Sequence, residues 1–184
     1  MHRKKLSVQS VVAIGIGTAI LFLLKRYVSI PSGIPNTNID TSYGFLGFIS
    51  IMFGPIVGFF VGFFGHSLSD FTQFGAPWWT WVFTTGFIGF AIGLLKKYIV
   101  LADGKIGFKK LVIYNIYQIL INIIGWSLLA PTGDVLIYSE PSNKVYLQGI
   151  ISSITNSIST GVIGTILLVM YASTKVEKGS LKKE

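Results

Sequence analysis

The chain is organised around residues 65–81, which read GHSLSDFTQFGAPWWTW. This stretch lies between two strongly apolar segments and holds one of the two histidines, an acid and three of the four tryptophans. Apolar runs on both sides predict a turn at a membrane surface, where indole rings are favoured because their body is apolar and their N–H needs a partner. We expect this turn and the loop Ser29–Ser42 to form the outer mouth of a small-molecule site in an integral membrane protein.

The composition is typical of a membrane protein. Of the 184 residues, 51% are hydrophobic and 12% are charged, whereas charged residues make up about a quarter of a typical soluble domain. The formal net charge is +8, but the basic residues fall in short blocks beside apolar runs, where orientation in the bilayer explains them better than nucleic-acid binding does. The chain contains no cysteine, which excludes disulfides and thiolate metal sites.

Six apolar segments predict an all-α integral membrane protein that forms a single domain over residues 1–184. Four segments are long enough to cross a bilayer, which takes about 20 residues. The second and third are shorter and are separated by Gly54-Pro55, so they are either two separate crossing or re-entrant pieces or one helix kinked at Pro55. The segments are Val8–Val28, Tyr43–Phe53, Pro55–Leu68, Trp78–Leu95, Leu111–Leu129 and Gln148–Ala172.

The distribution of Lys and Arg predicts the orientation of the chain. With six crossings and the N-terminus inside, twelve of these residues lie in the cytoplasm and three outside, as the positive-inside rule requires. If the two short segments form one crossing instead of two, a similar excess of Lys and Arg in the cytoplasm results only when the chain is inverted. The basic block Arg3-Lys4-Lys5 then lies outside, directly before the first helix. We therefore expect a six-helix bundle with both termini cytoplasmic, a first helix that is retained rather than cleaved as a signal, and external loops at Ser29–Ser42, Ser69–Pro77 and Ala130–Tyr146.

Several side chains are candidates for a binding site near the outer end of the helices. His66 and Asp70 are four residues apart, so on a helix they share one face. They are interpreted as a substrate-contacting pair, a proton-titrating pair or a local hydrogen bond that ties down the turn. Trp78 and Trp81 also share a face, where an indole either anchors the helix at the membrane interface or stacks on a flat ligand.

Amide side chains form stripes on the fifth and sixth segments. Asn122 and Trp126 lie on one side of the fifth together with Asn115 and Gln118, and Asn156 lies on a stripe of Ser and Thr in the sixth. Amides within a membrane seldom face lipid, because an unpaired amide there is costly. Interhelical hydrogen bonding explains either stripe alone, whereas two stripes that lead to an aromatic mouth favour a shared polar cavity.

Small residues recur at spacings of three or four on three of the predicted helices. On the first helix they form the overlapping pairs Ala13/Gly17 and Gly15/Ala19. Small side chains let helices approach closely in lipid, either within one chain or against another membrane subunit. Similar stripes on the third and fourth helices are Gly58, Gly62 and Gly65, and Gly86, Gly89 and Gly93.

The sequence carries no enzyme motif. It has no G-x-x-x-x-G-K loop, no H-E-x-x-H and no paired carboxylates, so we expect neither catalytic residues nor a cofactor. His66 and Asp70 are too few to hold a metal. Because Asp70 is the one acid at the edge of a crossing and none lies at mid-membrane, a self-contained proton pump is disfavoured, and the energy for any uphill transport comes from elsewhere.

Together these residues resemble the substrate-binding S components of energy-coupling factor (ECF) transporters, a class of bacterial vitamin importers. The resemblance covers nearly the whole chain and is closest to a branch near the S components for riboflavin, hydroxymethylpyrimidine and pyridoxine-type compounds. It is clearest at residues 30–37 (IPSGIPNT), Phe53-Gly54-Pro55, Gly65–Asp70 and residues 77–81 (PWWTW).

The resemblance implies a subunit of the bacterial cell membrane that captures a vitamin from outside and docks on a transmembrane coupling (T) subunit driven by two cytoplasmic ATPases. It implies that small residues of the first helix, here Ala13 and Gly17, face the coupling subunit. Metal-importing relatives use a histidine beside the initiator methionine, as in Met1-His2, but the basic block that follows holds this end in the cytosol, so no nickel or cobalt site is expected. The ligand site implied lies between the later helices and the first external loop, which favours Asn36, Asn38, Trp78, Asn122, Trp126 and Asn156.

The leading hypothesis is therefore a substrate-binding subunit for a small, flat, water-soluble vitamin or precursor. Asn36, Asn122 and Asn156 would form hydrogen bonds with it, and Trp78 and Trp126 would stack on it. One alternative is a stand-alone proton-coupled secondary transporter or channel in which His66 and Asp70 titrate. Another is a membrane scaffold that binds no ligand.

Overall fold

The computed structural model describes residues 6–35, 37–99 and 105–175, and helices dominate that part of the chain. A π-helical segment, Ile123–Leu129, joins α5 to α6 without a break, and a 3₁₀ turn, Leu94–Lys97, extends α4. Two short strands, β1 (Ile30–Pro31) and β2 (Asn38–Ile39), pair antiparallel between α1 and α2. The helices are α1 (Val8–Tyr27), α2 (Ser42–Phe53), α3 (Pro55–Phe74), α4 (Trp79–Gly93), α5 (Phe108–Asn122), α6 (Ala130–Tyr138) and α7 (Ser142–Ser173).

Several helical stretches are suited to a membrane. Within the described ranges, four are long and apolar enough to cross one, namely Val8–Tyr27, Trp79–Lys97, Phe108–Tyr138 and Ser142–Ser173. They expose many Val, Ile, Leu and Phe side chains on their outer faces, which suits lipid better than water. The expectation of an all-α, multi-pass membrane protein is confirmed, whereas six crossings with cytoplasmic termini stay a prediction.

Successive helices run in opposite directions, except that α6 continues the direction of α5, so the bundle has two different ends. At one end, which we call the cavity end, the last turns of α1, α3 and α6 meet the first turns of α2, α4 and α7. At the other, which we call the lysine end, Lys96 Nζ donates to the carbonyl oxygen of Phe53 at 3.1 Å. The basic residues described at the lysine end are Lys96, Lys97, Lys105, Lys109, Lys110 and Lys175.

The turn at Gly54-Pro55 separates α2 from α3. Gly54 has φ +98° and ends α2, and Pro55 begins α3, where its missing N–H would have had no helical partner. A Cβ on Gly58 would overlap Ser50 Oγ, so residues four before and four after the turn are in contact. The two helices therefore fold back on each other, which excludes the alternative of one helix kinked at Pro55.

Glycines bring α3 and α4 into backbone contact. A Cβ at Gly58 would overlap the carbonyl of Gly89, and a Cβ at Gly89 would overlap the carbonyl of Gly58. One turn further along, a Cβ at Gly62 would lie 2.7 Å from the carbonyl oxygen of Thr85. The stripes on the third and fourth helices therefore serve packing within this chain, the first of the two interpretations offered above.

The structure places Ala13 and Gly17 of α1 inside the bundle. Both are buried, and a Cβ at Gly17 would lie 2.7 Å from Ile49 Cδ1 of α2 and 2.8 Å from Val61 Cγ2 of α3. The expected partner-docking residues thus contact their own chain. The small residues that α1 exposes are Gly15 and Ala19, and a Cβ at Gly15 would meet nothing within 4 Å.

Two of the three predicted external loops are largely helical. The expected loop Ser69–Pro77 is helical as far as Phe74, where Gly75 with φ +81° ends α3. Within the expected loop Ala130–Tyr146, α6 and the start of α7 leave only a short break around Ser139, which has φ +55°. The polar composition that suggested loops has another cause, because several of these polar side chains face a cavity.

Candidate functional site

A partly open cavity lies at the cavity end of the bundle. The cavity has a volume of about 220 Å³, which is room for a small organic molecule rather than a single ion. Its wall combines charged and amide side chains with five aromatic rings, those of Tyr43, Phe74, Trp78, Trp81 and Trp126. This mixture of apolar surface with a few convergent polar groups is typical of ligand-binding pockets.

Most of the predicted site residues meet at this cavity. Asn122 does not line it, and Asn36 lies outside the described residues. The structure thus brings together seven side chains from different parts of the sequence, while their contact with a ligand stays a prediction. The seven are Asn38, His66, Asp70, Trp78, Trp81, Trp126 and Asn156.

His66 and Asp70 form a buried pair that joins three helices. His66 Nε2 lies 3.3 Å from Asp70 Oδ1, and Asp70 Oδ2 accepts a hydrogen bond of 3.0 Å from the backbone N–H of Trp78. On its other side, His66 Nδ1 lies 2.6 Å from Thr85 Oγ1, which is 2.9 Å from the Tyr43 hydroxyl. The pair therefore ties the end of α3 to α4 and α2 and also presents polar atoms to the cavity.

Asp134 is a central acceptor that the sequence analysis missed. Its carboxylate accepts hydrogen bonds from Trp78 Nε1 at 2.9 Å and from Trp81 Nε1 at 2.6 Å, and a further one from the Thr80 hydroxyl. Only 2% of Asp134 is exposed. The signal that could have found it is the group of three tryptophans, because buried indole N–H groups need acceptors.

An ion pair between Lys25 and Asp40 fixes the wall beside the strands. Lys25 Nζ lies 2.7 Å from Asp40 Oδ2, and Asp40 Oδ1 accepts a hydrogen bond of 2.9 Å from the backbone N–H of Ser42. Burial alone would raise the pKa of Asp40, but the Lys25 ammonium and the hydrogen bonds from Lys25 and Ser42 outweigh it and hold that pKa below its usual value. The end of α1 is thereby fastened to the start of α2.

Trp126 is held rigidly by aromatic neighbours and by Asn122. Its ring stacks on Trp81 with centroids 5.5 Å apart and meets the edge of Tyr43 at 5.4 Å. Asn122 Oδ1 accepts from Trp126 Nε1 at 3.1 Å, and Asn122 Nδ2 donates to the side chain of Gln118 at 3.0 Å. Asn122 therefore supports Trp126 from beneath the cavity.

Trp126 lies in the π-helical segment Ile123–Leu129. Pro131 lies at the start of α6 and has no N–H, so the regular hydrogen-bond pattern of the preceding helical turn is interrupted. Short π-helical segments are frequent at functional sites. Trp126 is only 1% exposed, whereas Trp78 is 43% exposed, so Trp78 has more surface that is not already in contact with the protein.

Polar residues of α7 complete the wall opposite α3. Gln148 Nε2 donates to the carbonyl oxygen of Pro35 at 2.7 Å and so holds the β1–β2 connection over α7. Asn156 is 3% exposed, and its Oδ1 atom has no hydrogen-bond partner. An unpaired buried acceptor costs about 1–3 kcal/mol, so a donor on a ligand would be favoured there.

The described residues offer polar contacts to a ligand but no metal centre. Within residues 6–35, 37–99 and 105–175, no three His, Cys, Asp or Glu side chains are grouped so that they could hold a metal ion. The wall instead supplies carboxylates, amides, hydroxyls and ring faces, which recognise organic molecules by hydrogen bonding, charge and stacking.

Comparison with known proteins gives consistent matches over the chain. The family described as ECF-type riboflavin transporter, S component, matches residues 5–173. A UPF0397 protein of Lacticaseibacillus casei (strain BL23) is 65% identical over 182 residues, which cover 99% of this chain and 98% of the relative. UPF0397 proteins of Staphylococcus aureus (strain Newman) and Clostridium perfringens (strain ATCC 13124) are 53% and 50% identical, each over 184 residues that cover 100% of both chains.

Proposed function

The chain belongs to the family of ECF-type riboflavin transporter S components, and from this premise we propose that its cavity captures a small water-soluble vitamin or vitamin precursor from outside the cell. The family consists of membrane subunits that bind the substrate of a vitamin transporter, and it is not an enzyme family. Candidate substrates are riboflavin, hydroxymethylpyrimidine and pyridoxine-like compounds. The observation that carries the proposal is the convergence of seven predicted site residues on one cavity.

The proposed orientation places the cavity end outside and the lysine end in the cytoplasm of a bacterium. Support comes from the basic residues, because six of the nine described Lys and Arg residues lie at the lysine end, in the sense of the positive-inside rule. A cavity that opens outward at the edge of the bilayer suits capture of a dilute external solute. Both termini would then lie in the cytoplasm, with the helical bundle in the cell membrane.

Import by such a subunit requires partners that supply energy. We infer a transmembrane coupling (T) subunit and two cytoplasmic ATPases, because the sequence carries no nucleotide-binding motif of its own. On α1, the residues able to meet another subunit without unpacking the bundle are the exposed ones, including Gly15 and Ala19 rather than Ala13 and Gly17. A small-residue surface allows the close approach that helix association in lipid requires.

Ligand binding by the purified protein tests the proposal. Detergent-solubilised protein is titrated with a panel of water-soluble vitamins and precursors while its tryptophan emission is recorded, and a preparation released from cells is analysed by mass spectrometry for a bound small molecule. We expect saturable quenching by at least one compound, because Trp78, Trp81 and Trp126 line the cavity. No response from any compound, in preparations shown to be folded, would contradict the proposal.

The His66–Asp70 pair favours one second candidate, a stand-alone proton-coupled transporter. The pair is buried, lines the cavity and lies at the centre of a hydrogen-bonded chain. Uptake into vesicles that lack any ATPase, driven by a pH gradient and abolished by His66→Gln, would support this candidate. Uptake that requires the T subunit and ATP would support the S-component function instead.

A further inference from the structure

We propose that the cavity selects a ligand that carries a positive charge, such as a cationic nitrogen heterocycle or a protonated amine, and that Asp70 and Asp134 meet this charge. The inference rests on the proposed function, since it assigns a substrate class to the same cavity. It goes beyond that function because riboflavin and other neutral compounds are then disfavoured.

The first observation is where the acidic residues lie. Every acidic side chain within residues 6–35, 37–99 and 105–175 lines this one cavity, namely Asp40, Asp70, Asp134 and Glu140. The chain as a whole carries a formal net charge of +8, so the cavity is opposite in sign to the protein. The need of a carboxylate for water does not explain why these residues lie there, because Asp40, Asp70 and Asp134 are only 3%, 4% and 2% exposed.

The second observation is how these carboxylates are paired. Asp40 lies 2.7 Å from Lys25, and Glu140 lies 2.9 Å from Lys144, so each of these has a lysine partner. Asp134 instead accepts hydrogen bonds from two indoles and a hydroxyl, and among the described residues it forms no ion pair with a basic side chain. Asp70 contacts His66 and a backbone N–H.

The consequence is a wall with more negative than positive charge. Two lysines balance two of the four carboxylates, which leaves Asp70 and Asp134 without a lysine or arginine. A buried carboxylate is stabilised strongly by a cation that enters the same low-dielectric space. An anionic ligand would be repelled by the same two groups.

Asn156 provides an independent sign that the ligand brings hydrogen-bond donors. Asn156 lines the cavity, and its buried Oδ1 atom has no hydrogen-bond partner within the protein. A ligand N–H placed against Asn156 would satisfy this acceptor. The exposed ring of Trp78 adds a surface that attracts a cation through its π face. A flat, nitrogen-rich cation meets all three requirements.

The charge preference is tested with three ligands that share one ring. Nicotinamide is neutral, its N-methylated form is a pyridinium cation, and nicotinate is an anion at neutral pH. Calorimetric titration of the purified full chain is expected to give at least about tenfold tighter binding of the cation than of nicotinamide, with nicotinate weakest. Equal affinities, or a preference for the neutral or anionic compound, would overturn the inference.

The outcome separates this inference from the proposed function. If a vitamin binds in the panel described above but is neutral or anionic, the substrate class is wrong and the capture function stands. If the pyridine compounds do not bind, the charge of the vitamin that binds in the panel is the test. A cationic vitamin supports the inference, and a neutral or anionic one overturns it. If no compound of any charge binds folded protein, both proposals fail.

Charge-removing variants locate the effect. Asp70→Asn and Asp134→Asn are each expected to lower the ratio of cation affinity to nicotinamide affinity by about tenfold. Because both ligands are measured on the same folded preparation, the ratio does not depend on any loss of stability. The control Thr174→Lys adds the same unit of charge at an exposed position of the lysine end and should leave the ratio unchanged. An unchanged ratio in both aspartate variants would overturn the assignment, and if Asp134→Asn does not fold, Asp70→Asn decides.

Discussion

The same two helices, α3 and α4, are in backbone contact at one end of the molecule and are joined through side chains at the other. At the lysine end, Gly58 and Gly89 bring the two backbones into direct contact. Towards the cavity end, polar side chains of α3 make the contact instead, because His66 Nδ1 lies 2.6 Å from Thr85 Oγ1 and Asp70 Oδ2 accepts a hydrogen bond from the backbone N–H of Trp78. The contact between the two helices thus changes from glycine backbone at the lysine end to polar side chains at the cavity end, and His66 and Asp70 of that second contact also line the cavity.

The two ends also differ in charge and in how charge is held. The lysine end carries six described lysines, of which Lys96 contacts a helix C-terminus, where a cation is favoured by the helix dipole. The cavity end holds all four described acids, three of them buried. Charge at the lysine end thus orients the chain in the membrane, whereas charge at the cavity end builds a site. The variants below test this contrast.

The largest effect is expected from a large side chain at the backbone contact between α3 and α4. Gly58→Leu would place side-chain atoms where the carbonyl of Gly89 and the side chain of Ser50 lie. A backbone carbonyl cannot rotate away as a flexible side chain can, so this overlap is costly. We expect a loss of about 3 kcal/mol or more in stability, seen as a collapse of the folded peak in size-exclusion chromatography and a lower thermal midpoint.

The matched control for this change is Gly15→Leu. Gly15 lies on the exposed face of α1, where a Cβ meets nothing within 4 Å, so the isolated subunit should keep its stability to within about 0.5 kcal/mol. If Gly58→Leu behaves like Gly15→Leu, the backbone contact between α3 and α4 is not needed for the stability of the fold.

The next effect concerns the buried ion pair at the cavity end. Lys25→Met removes the cation and leaves Asp40 buried without it, which is expected to cost about 3 kcal/mol at neutral pH. The pKa of Asp40 is lowered in the folded protein, so its contribution to stability is present above the unfolded pKa and is lost as pH falls through the folded one.

The pH dependence gives this prediction a specific signature. The difference in thermal midpoint between wild type and Lys25→Met should be full at neutral pH and shrink below about pH 4, where the unfolded carboxyl becomes protonated. A difference that is constant with pH would show that Lys25 acts through packing rather than through its charge on Asp40.

A smaller effect is expected beneath the cavity. Asn122→Ala leaves the buried N–H of Trp126 without its acceptor, which should cost about 2 kcal/mol and weaken tryptophan quenching by the bound vitamin, because the ring that lines the cavity is no longer held. The control is Asn115→Ala on the same helix, whose amide bonds to Leu111 and Thr165 away from the cavity. Equal effects on quenching would contradict a support role for Asn122.

Much of the fold could be predicted because lipid imposes a simple pattern. Long apolar runs gave helix bounds within a few residues for α1, α2 and α4, and Gly54-Pro55 marked the turn between α2 and α3. The prediction was wrong where polar residues lie on helices that face a cavity instead of water. Ser69 to Phe74 and Ala130 to Tyr138 are helical, and their polar residues Ser69, Asp70, Gln73 and Asp134 line the cavity.

The site could be predicted only in part, because several of its contacts join residues that are far apart in the sequence. Stripe and turn residues such as Asp70 and Asn156 were found from spacing along a helix. Asp134 was missed because its partners, Trp78 and Trp81, lie more than 50 positions away in the chain. Spacing also leaves open which neighbour a helix face meets: the resemblance implied that Ala13 and Gly17 face a coupling subunit, whereas both are buried within this chain.

The smallest effect is expected from the second lysine pair of the cavity end, which contrasts with the first. Lys144 and Glu140 are four residues apart and 2.9 Å from each other, but the Lys144 side chain is 48% exposed, against 16% for Lys25. Water therefore screens this pair, and Lys144→Gln should change stability by only about 0.5 kcal/mol. Thermal unfolding at low and high salt checks this. The small contribution of a surface ion pair to stability decreases as ionic strength rises, so the difference between wild type and Lys144→Gln should shrink at high salt. A loss as large as that of Lys25→Met would mean that Glu140 is as dependent on its lysine as Asp40, and that burial does not distinguish the two pairs.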